Sequence, residues 1–440
     1  MSLKNKINNK EAILGVIGLG YVGLPLATTT ALSGFKVIGI ETNKTKVNKL
    51  LAGKSYVKDV PDDDIASVIK KGSLSVTSEY KQMNKMDVII ICVPTPLKND
   101  NTPDVSYIYQ VVEKIKQYAK KSILIILEST SYPGTTEELI MKELENAGWV
   151  LNKDFNLSFS PERVDPGNKL YSLRNTPKIV GGVTQKCSQL AGLLYKQITN
   201  EVFFVSSVKT AEMVKLLENT FRSVNIGFIN EMALLCEKMG INIWEVIEAA
   251  STKPFGYMAF YPGPGIGGHC IPIDPIYLEW KAKTFNFYSG FIKLASKIND
   301  SMSQYIVNSI KQILDNSGKS IEKSKILIVG VAYKKDIDDV RESPALKIID
   351  LLIDEKASVD YYDPYVKELT ISNKTISSIN LTKENLKEYD CSIIITNHDN
   401  IDYELLIENL KIIYDTRNTI KEKKENVFLL GAVNNNTIKE

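Results

Sequence analysis

Short, almost wholly apolar runs recur along this chain, each followed by a longer stretch of mixed polarity. Residues 12–18 form the first, then come a glycine turn and a helical pattern to about Ser33. "FKVIGIE" (35–41), "MDVIIICVPTP" (86–96) and "SILIILEST" (122–130) are further runs, and "PKIVGGV" (177–183) and "EVFFVS" (201–206) extend this part to about residue 206. Strands that read as continuous apolar runs, alternating with helices, predict a parallel sheet covered on both faces. From Ser207 to Gly240 the pattern becomes one long helix. Another helix begins near Ile243, and more helix follows a glycine- and proline-rich stretch at 262–275. A polar linker at 316–324 precedes "KILIVGVAYKKD", "SPALKIIDLLIDE", "SVDYYDP" and "CSIIITNHD", which repeat the strand–helix–strand rhythm. The expectation is an α/β chain: sheet domains at 1–206 and 316–440, joined by a central all-helical domain at 207–315.

Composition narrows the class. At 440 residues the chain exceeds one ordinary core, in keeping with two or three domains. Net charge is +2 with both signs interspersed, which offers no footprint for nucleic acid or a membrane face. Residues 12–35 are nearly uncharged, but early glycines and Pro25 interrupt them and another strand pattern follows, so no targeting or membrane segment is expected. The five cysteines (Cys92, Cys187, Cys236, Cys270 and Cys391) form neither a disulfide framework nor a C-x-x-C pair, which predicts a reducing, cytoplasmic setting.

The first turn carries chemistry. "GLGYVG" places Gly18, Gly20 and Gly23 after a strand and before a helix, with Leu19, Tyr21 and Val22 between them. The first glycine makes the tight turn, the second lets pyrophosphate approach the backbone, and the third lets helix pack on strand. Glu41 ends the second strand 18 residues after Gly23 (41 − 23), where an acidic side chain accepts the ribose 2′-OH and repels a 2′-phosphate. Both sheet domains therefore read as Rossmann-like, and the first is expected to bind NAD. Thr95 and Thr130 sit at carboxyl ends of later strands, where such sheets hold ligands.

Other candidates are less specific by themselves. Lys215 and Asn219, spaced i, i+4, share a face of the long helix. They are either a lysine reaching solvent beside an asparagine, or a cation and an amide donor aimed at a developing oxyanion; spacing does not choose. The chain has five arginines against 49 lysines, and Arg163, Arg222 and Arg341 stand in motif-like strings. Arg341 is expected to contact phosphate or base in the third domain, while Arg163 and Arg222 are equally well structural ion pairs. The two histidines, His269 and His398, have no ligand spacing, so no metal is expected. Cys270 in "PGPGIGGHCIPIDP" is either a small apolar filler or a nucleophile. As a nucleophile it needs a nearby cation, which Lys215 can supply, and Asp274 can orient a water or that lysine.

Taken together, "GVIGLGYVGLPLA", "CVPTP", "ESTSYPGTTEE", "SPERVDPGN", "VKLLENTFRSVNI", "GPGIGGHCIPIDP" and "GVAYKKDIDDVRESPA" resemble, in order and over nearly the whole chain, the UDP-sugar 6-dehydrogenases, the family of UDP-glucose and GDP-mannose dehydrogenases. The resemblance implies a four-electron oxidation of the sugar's C6 alcohol to a carboxylate with two NAD⁺, for surface polysaccharide synthesis. It implies that Cys270 adds to the intermediate aldehyde and that Lys215 and Asn219 stabilise the oxyanions. Asp274 helps hold a water, Glu162 serves the hydrolytic step, and Thr130 positions the water. It also places Glu162, Arg163, Lys215, Asn219, Tyr261, Gly265, Gly267, Lys334 and Arg341 around the UDP-sugar.

Within the family the cysteine string is most like that of UDP-N-acetylglucosamine 6-dehydrogenases. The alternatives are UDP-N-acetylmannosamine, UDP-N-acetylgalactosamine or UDP-glucose as substrate, or a non-catalytic NAD- and UDP-sugar-binding sensor. Two departures speak against UDP-glucose. Pro166 stands where that branch has a second carboxylate after "PE", and no arginine lies between Arg222 and Arg341. His269 is read as a loop histidine touching substrate or solvent. The long helix, apolar on more than one face, predicts at least a homodimer.

Overall fold

The computed structural model describes residues 1–165, 167–168, 170–268, 270–371 and 374–432, so Pro166 and His269 lie outside the described residues. The chain forms two compact units: Met1–Glu218 with Ile276–Phe287, and Asn219–Pro275 with the chain from Tyr288 onward. Helix Val208–Met239 contributes residues up to Glu218 to the first and the remainder to the second. Among the described residues no helix is long and apolar enough to cross a membrane.

The first unit is built on eight strands: β1 (Ile13–Ile17), β2 (Lys36–Ile40), β3 (Leu74–Thr77), β4 (Val88–Ile91), β5 (Ile123–Leu127), β6 (Phe155–Phe159), β7 (Lys178–Gly182) and β8 (Val202–Phe204). Their order in the sheet is β3-β2-β1-β4-β5-β6-β7-β8. Strands β1 to β6 pair in parallel, as the apolar runs predict. Strand β7 runs antiparallel to β6, a departure from an all-parallel sheet, and β8 is parallel to β7. Side chains of one strand part to opposite faces: Val88 and Ile90 join one buried cluster, Ile89 and Ile91 the other. Helices Gly23–Leu32, Asp62–Lys70 and Gln185–Tyr195 cover the first face, and Ser106–Tyr118 with the start of the long helix the second. The order reverses between β1 and β4, so a crevice opens at their carboxyl ends, where Gly18 and Thr95 lie.

The second unit holds a five-stranded parallel sheet of β9 (Lys325–Val329), β10 (Ser358–Tyr362), β13 (Cys391–Ile394), β14 (Ile413–Asp415) and β15 (Val427–Leu429), in the order β10-β9-β13-β14-β15. A two-stranded antiparallel sheet, β11 (Glu368–Ile371) and β12 (Lys374–Ser377), is separate from it. Helix Gly290–Asn316 packs Met302, Ile306 and Ile310 into the same core as Ile326 and Ile328. Ile229 and Ala233 of the long helix cluster with Trp244 and Ile247, and Trp244 Nε1 donates to Leu430 O at 2.8 Å. The order reverses again between β9 and β13, which puts Lys334 and His398 just past neighbouring carboxyl ends.

Candidate active site

In the first unit, strand β1 ends in a turn that only glycine allows. Gly18 has φ +88°, and a Cβ there would stand 2.7 Å from the carbonyl oxygen of Cys92. A Cβ on Gly23 would run into the Gly18 carbonyl, whereas one on Gly20 would meet nothing within 4 Å. The space over Gly20 is open to a ligand. Helix Gly23–Leu32 starts at Val22 with no side-chain cap, which leaves its first turn suited to an anion. The Glu41 carboxylate is fixed beside the turn by the N–H groups of Asn43 (2.9 Å) and Leu19 (3.3 Å), and Tyr56 Oη donates to Leu19 O at 2.7 Å. Tyr21 is 44% exposed. These residues fit an adenine dinucleotide: a tight backbone cradle for pyrophosphate and an aimed carboxylate for the ribose diol.

Thr95, buried past β4, has its carbonyl held by Tyr277 Oη at 3.0 Å, and Ser129 Oγ donates to Val93 O at 2.7 Å, joining the β4 and β5 ends beside half-buried Thr130. Glu162 Oε1 accepts the N–H groups of Arg163 and Val164, each at 2.7 Å. Burial alone would raise this carboxyl, but Lys178, those N–H groups and Lys215 outweigh it and hold Glu162 below the ordinary glutamate range. Lys215 and Glu162 are thus brought into electrostatic reach. The guanidinium of Arg163 is committed to Glu218, Nη2 at 2.7 Å and Nε at 3.0 Å, and to the Pro177 carbonyl at 2.8 Å. It ties the Glu162 turn to the long helix.

Glu212, one turn before Lys215, staples that helix to the loop that follows Thr130. Its carboxylate accepts the N–H of Gly134 (2.5 Å), the N–H of Thr136 (2.9 Å) and the hydroxyl of Thr136 (2.7 Å) with no exposed surface. Burial pushes it up to about 7, against the N–H bonds and with a push from Glu137. A folded-state value above the unfolded one means the folded chain holds the proton more tightly. Stability therefore falls as pH rises from about 4.5 to about 7, by about 3 kcal/mol in all. Glu212→Gln cannot accept the Gly134 N–H through its amide nitrogen and is expected to cost about 1–3 kcal/mol. Thermal melts across that pH range should nonetheless show a flatter curve for the variant; parallel curves would refute the assignment.

The cysteine loop belongs to the second unit. Asn219 Nδ2 donates to Asp274 Oδ2 at 2.5 Å, with Asn219 5% and Asp274 3% exposed. Asp274 opens helix Asp274–Lys283, and its N–H donates to the carbonyl of Cys270 at 2.8 Å, while the Cys270 side chain is exposed. Residues far apart in sequence thus meet at one helix start. Gly267 and Gly268 are required by the chain itself: a Cβ on Gly267 would stand 2.7 Å from Tyr333 Cβ and 2.8 Å from Glu342 O, and one on Gly268 2.8 Å from the Tyr333 ring. The N–H of Gly268 donates to Arg341 O at 2.9 Å, so the loop is bound to the segment carrying Lys334 and Arg341. Arg341 closes a fork on Asp339, at 3.0 and 2.7 Å, and remains 45% exposed. Tyr261 stacks on Trp244 at 6.1 Å between centroids, and Gly265, at φ +129°, comes against Asn299 O.

Sequence reasoning gave no role to several buried polar groups. His398 accepts the Asp336 N–H on Nδ1 at 2.8 Å and meets Asp363 Oδ2 through Nε2 at 3.0 Å, and that oxygen also accepts the N–H of Val331 at 2.7 Å. The pair shapes the loop that presents Lys334. Arg417, just past β14, donates to Ile395 O at 2.8 Å and packs against Gly263 of the cysteine loop, putting a cation at the carboxyl edge of the second sheet. Its rarity and its place after an apolar strand were the available signal. In the first unit, Lys178 lies buried against Glu128 and Glu162.

Comparison with known proteins extends these observations. Models of the UDP-glucose/GDP-mannose dehydrogenase family match three stretches: its NAD binding domain residues 12–199, its central domain 209–301 and its UDP binding domain 327–422. The chain is similar to the UDP-N-acetyl-D-mannosamine dehydrogenase of Methanocaldococcus jannaschii, 38% identical over 435 residues covering 94% of this chain and 96% of that one. It is also similar to the NDP-N-acetyl-D-galactosaminuronic acid dehydrogenase of Ralstonia nicotianae, 32% identical over 93% of this chain and 97% of that one. Among solved structures, the UDP-D-ManNAc dehydrogenase of Pyrococcus horikoshii superposes with a TM-score of 0.88 at 33% identity, covering 96% of this chain and 100% of that one.

Proposed function

The chain belongs to the UDP-glucose/GDP-mannose dehydrogenase family and is an NAD-dependent nucleotide-sugar dehydrogenase; from that premise we propose that it oxidises the C6 alcohol of UDP-N-acetyl-D-mannosamine to the uronic acid. The cysteine string alone points to the glucosamine epimer, but the mannosamine name is carried by relatives matched over nearly their full length, and the reading follows them. The galactosamine name of the Ralstonia relative keeps a third N-acetylhexosamine as a comparison.

The observation that carries the mechanism is the buried Asn219–Asp274 pair beside the Cys270 carbonyl. When bound on the Gly18–Gly23 turn, NAD⁺ supplies two hydride-accepting steps, one molecule for each. Lys215 and Asp274 hold the water that takes the C6 hydroxyl proton in the first. The Cys270 thiolate then adds to the aldehyde carbon, and Lys215 and the Asn219 amide stabilise the resulting oxyanion. The thiohemiacetal is the hydride donor for the second step, which leaves a thioester on Cys270. Glu162 accepts a proton from water as it attacks the thioester, with Thr130 positioning that water, and the carboxylate leaves as the thiol re-forms. Lys334 and Arg341 from the loop after β9, and Arg417 from the loop after β14, supply cations for the uridine diphosphate.

The test is NADH formed per sugar consumed, with the three UDP-N-acetylhexosamines and UDP-glucose offered separately. Two NADH per UDP-N-acetyl-D-mannosamine, and less with the others, is the expected outcome. One NADH would remove the thioester from the mechanism, and none with any sugar would favour the sensor.

A homodimer through the long helix completes the proposal. Phe221, Phe228 and Leu235 recur at seven-residue intervals and are 46%, 55% and 47% exposed, beside a groove of about 400 Å³ that Tyr257, Met258 and Phe260 help to line. A stripe of that size left to water is unusual for a monomer. Light scattering should give a dimer or larger assembly that Phe228→Asp dissociates; a monomeric wild-type chain would refute it.

A further inference from the structure

Beside Glu162 the first unit encloses a group of charges that the proposed steps leave unused. Lys178, the first residue of β7, is 4% exposed, and its Nζ lies 2.9 Å from Glu128 Oε2 and 3.3 Å from Glu162 Oε2. Glu128, one residue past β5, is 1% exposed and receives the hydroxyl of Tyr195, the last residue of helix Gln185–Tyr195. Two carboxylates therefore share one buried ammonium, and a single phenol holds the far oxygen of one of them.

Taking three ionisable groups out of water is costly, and an apolar trio of the same volume would pack at least as well. Burial of this kind at a candidate site calls for a use. Glu162 has both oxygens committed: Oε1 to the N–H groups of Arg163 and Val164, Oε2 to Lys178. From this geometry we infer that Lys178 is a positioning residue for Glu162, aiming its carboxylate through a direct ion pair, and that Glu128 and Tyr195 hold Lys178 in place. The inference rests on the reading of Glu162 as the base of thioester hydrolysis.

The groups facing Glu162 come from four elements, Lys178, Glu128, Lys215 on the long helix and Cys92 past β4, and Tyr195 stands behind them on Glu128. Burial raises the Cys92 thiol and the Tyr195 phenol well above their ordinary values, so both stay neutral. Burial also raises Glu128. Lys178 pulls Glu162 down, and the Glu128 charge blunts that pull by sharing the ammonium.

Opposite effects follow from removing the two partners. The measurement is decay of the Cys270 acyl adduct in the full-length chain with NAD and UDP-N-acetyl-D-mannosamine, followed by rapid quench and intact mass across pH. Its acid limb reports the ionisation of the base. Lys178→Gln should move that limb up by about one pH unit or more, roughly tenfold slower decay at a fixed pH below it. Glu128→Gln should move it down, and Lys178→Arg should keep it near the wild-type position. A purely structural role would leave the limb unmoved, or move it the same way in both glutamine variants, and either result overturns the inference. If Lys178→Gln does not fold, Glu128→Gln decides alone: a downward shift upholds the inference and an unmoved limb sinks it. Glu162→Gln separates the layers, because a wild-type limb in that variant would overturn the role of Glu162 itself.

Discussion

Cys270→Ala is expected to lose four-electron turnover by a factor on the order of 10⁴ or more while binding NAD as tightly as the wild-type chain. An aldehyde carries no transferable hydride at an sp³ carbon until a nucleophile adds to it, and the thiol is the nucleophile the proposed mechanism supplies. The substitution should disturb little else. The Cys270 side chain is exposed, and its backbone carbonyl accepts the N–H of Asp274, a bond that alanine keeps. The NAD cradle is built from the β1 turn and Glu41, which contain no part of the cysteine loop. Paired titrations of NAD and counts of NADH per sugar check both halves. Two NADH per sugar at the wild-type rate in the alanine variant would eliminate the covalent mechanism.

The contrast between that loop and the buried charges marks what the sequence reveals. Runs such as "VIII" in β4 and "ILIIL" in β5 declare themselves because both faces of the strand are covered by apolar layers. Strand β6, "FNLSF", is buried along its whole length yet escaped notice, since Asn156 and Ser158 interrupt its apolar run. Asn156 Nδ2 donates to the Ile123 carbonyl at 3.3 Å and Ser158 Oγ to the Cys187 carbonyl at 3.1 Å, partners that no local pattern displays. Strand β3, four residues at the sheet edge with alternating burial, is too short to stand out. The antiparallel turn of β7 is likewise a matter of tertiary pairing.

The site divides in the same way. The glycine turn and Glu41 are legible because backbone geometry dictates glycine and because the acidic residue falls at a fixed distance along the chain. Asn219 and Asp274 could be named, but their 2.5 Å contact joins stretches 55 residues apart and needs the fold. Gly265 and Gly267 are expected around the UDP-sugar; the structure adds a reason internal to the chain, since Tyr333 and Glu342 occupy the space a side chain on Gly267 would need. Lys178 was the hardest to see. One lysine at the start of an apolar strand looks like an edge residue, and only the convergence of β5, β7 and the Glu162 turn makes it a buried cation.

Lys215→Ala should lower kcat by roughly 10²–10³ with little change in KM, as expected for a donor that acts on charge developing in the transition state. The helix will tolerate the change, because alanine is the best helix former and Lys215 is only half-buried between Glu212 and Asn219. Two consequences should accompany the loss. Glu162 loses one of the charges that hold it down, so the acid limb of hydrolysis should rise slightly in this variant, by less than in Lys178→Gln, whose contribution stands ahead of that of Lys215. Arginine should not restore the rate, since a planar fork on a longer stem cannot place a single point charge where the ammonium stood. Separate determination of kcat and KM decides the matter. A rise in KM with kcat intact would make Lys215 a binding residue that treats ground and transition states alike, and the stabilisation of the oxyanion would then fall to the Asn219 amide alone.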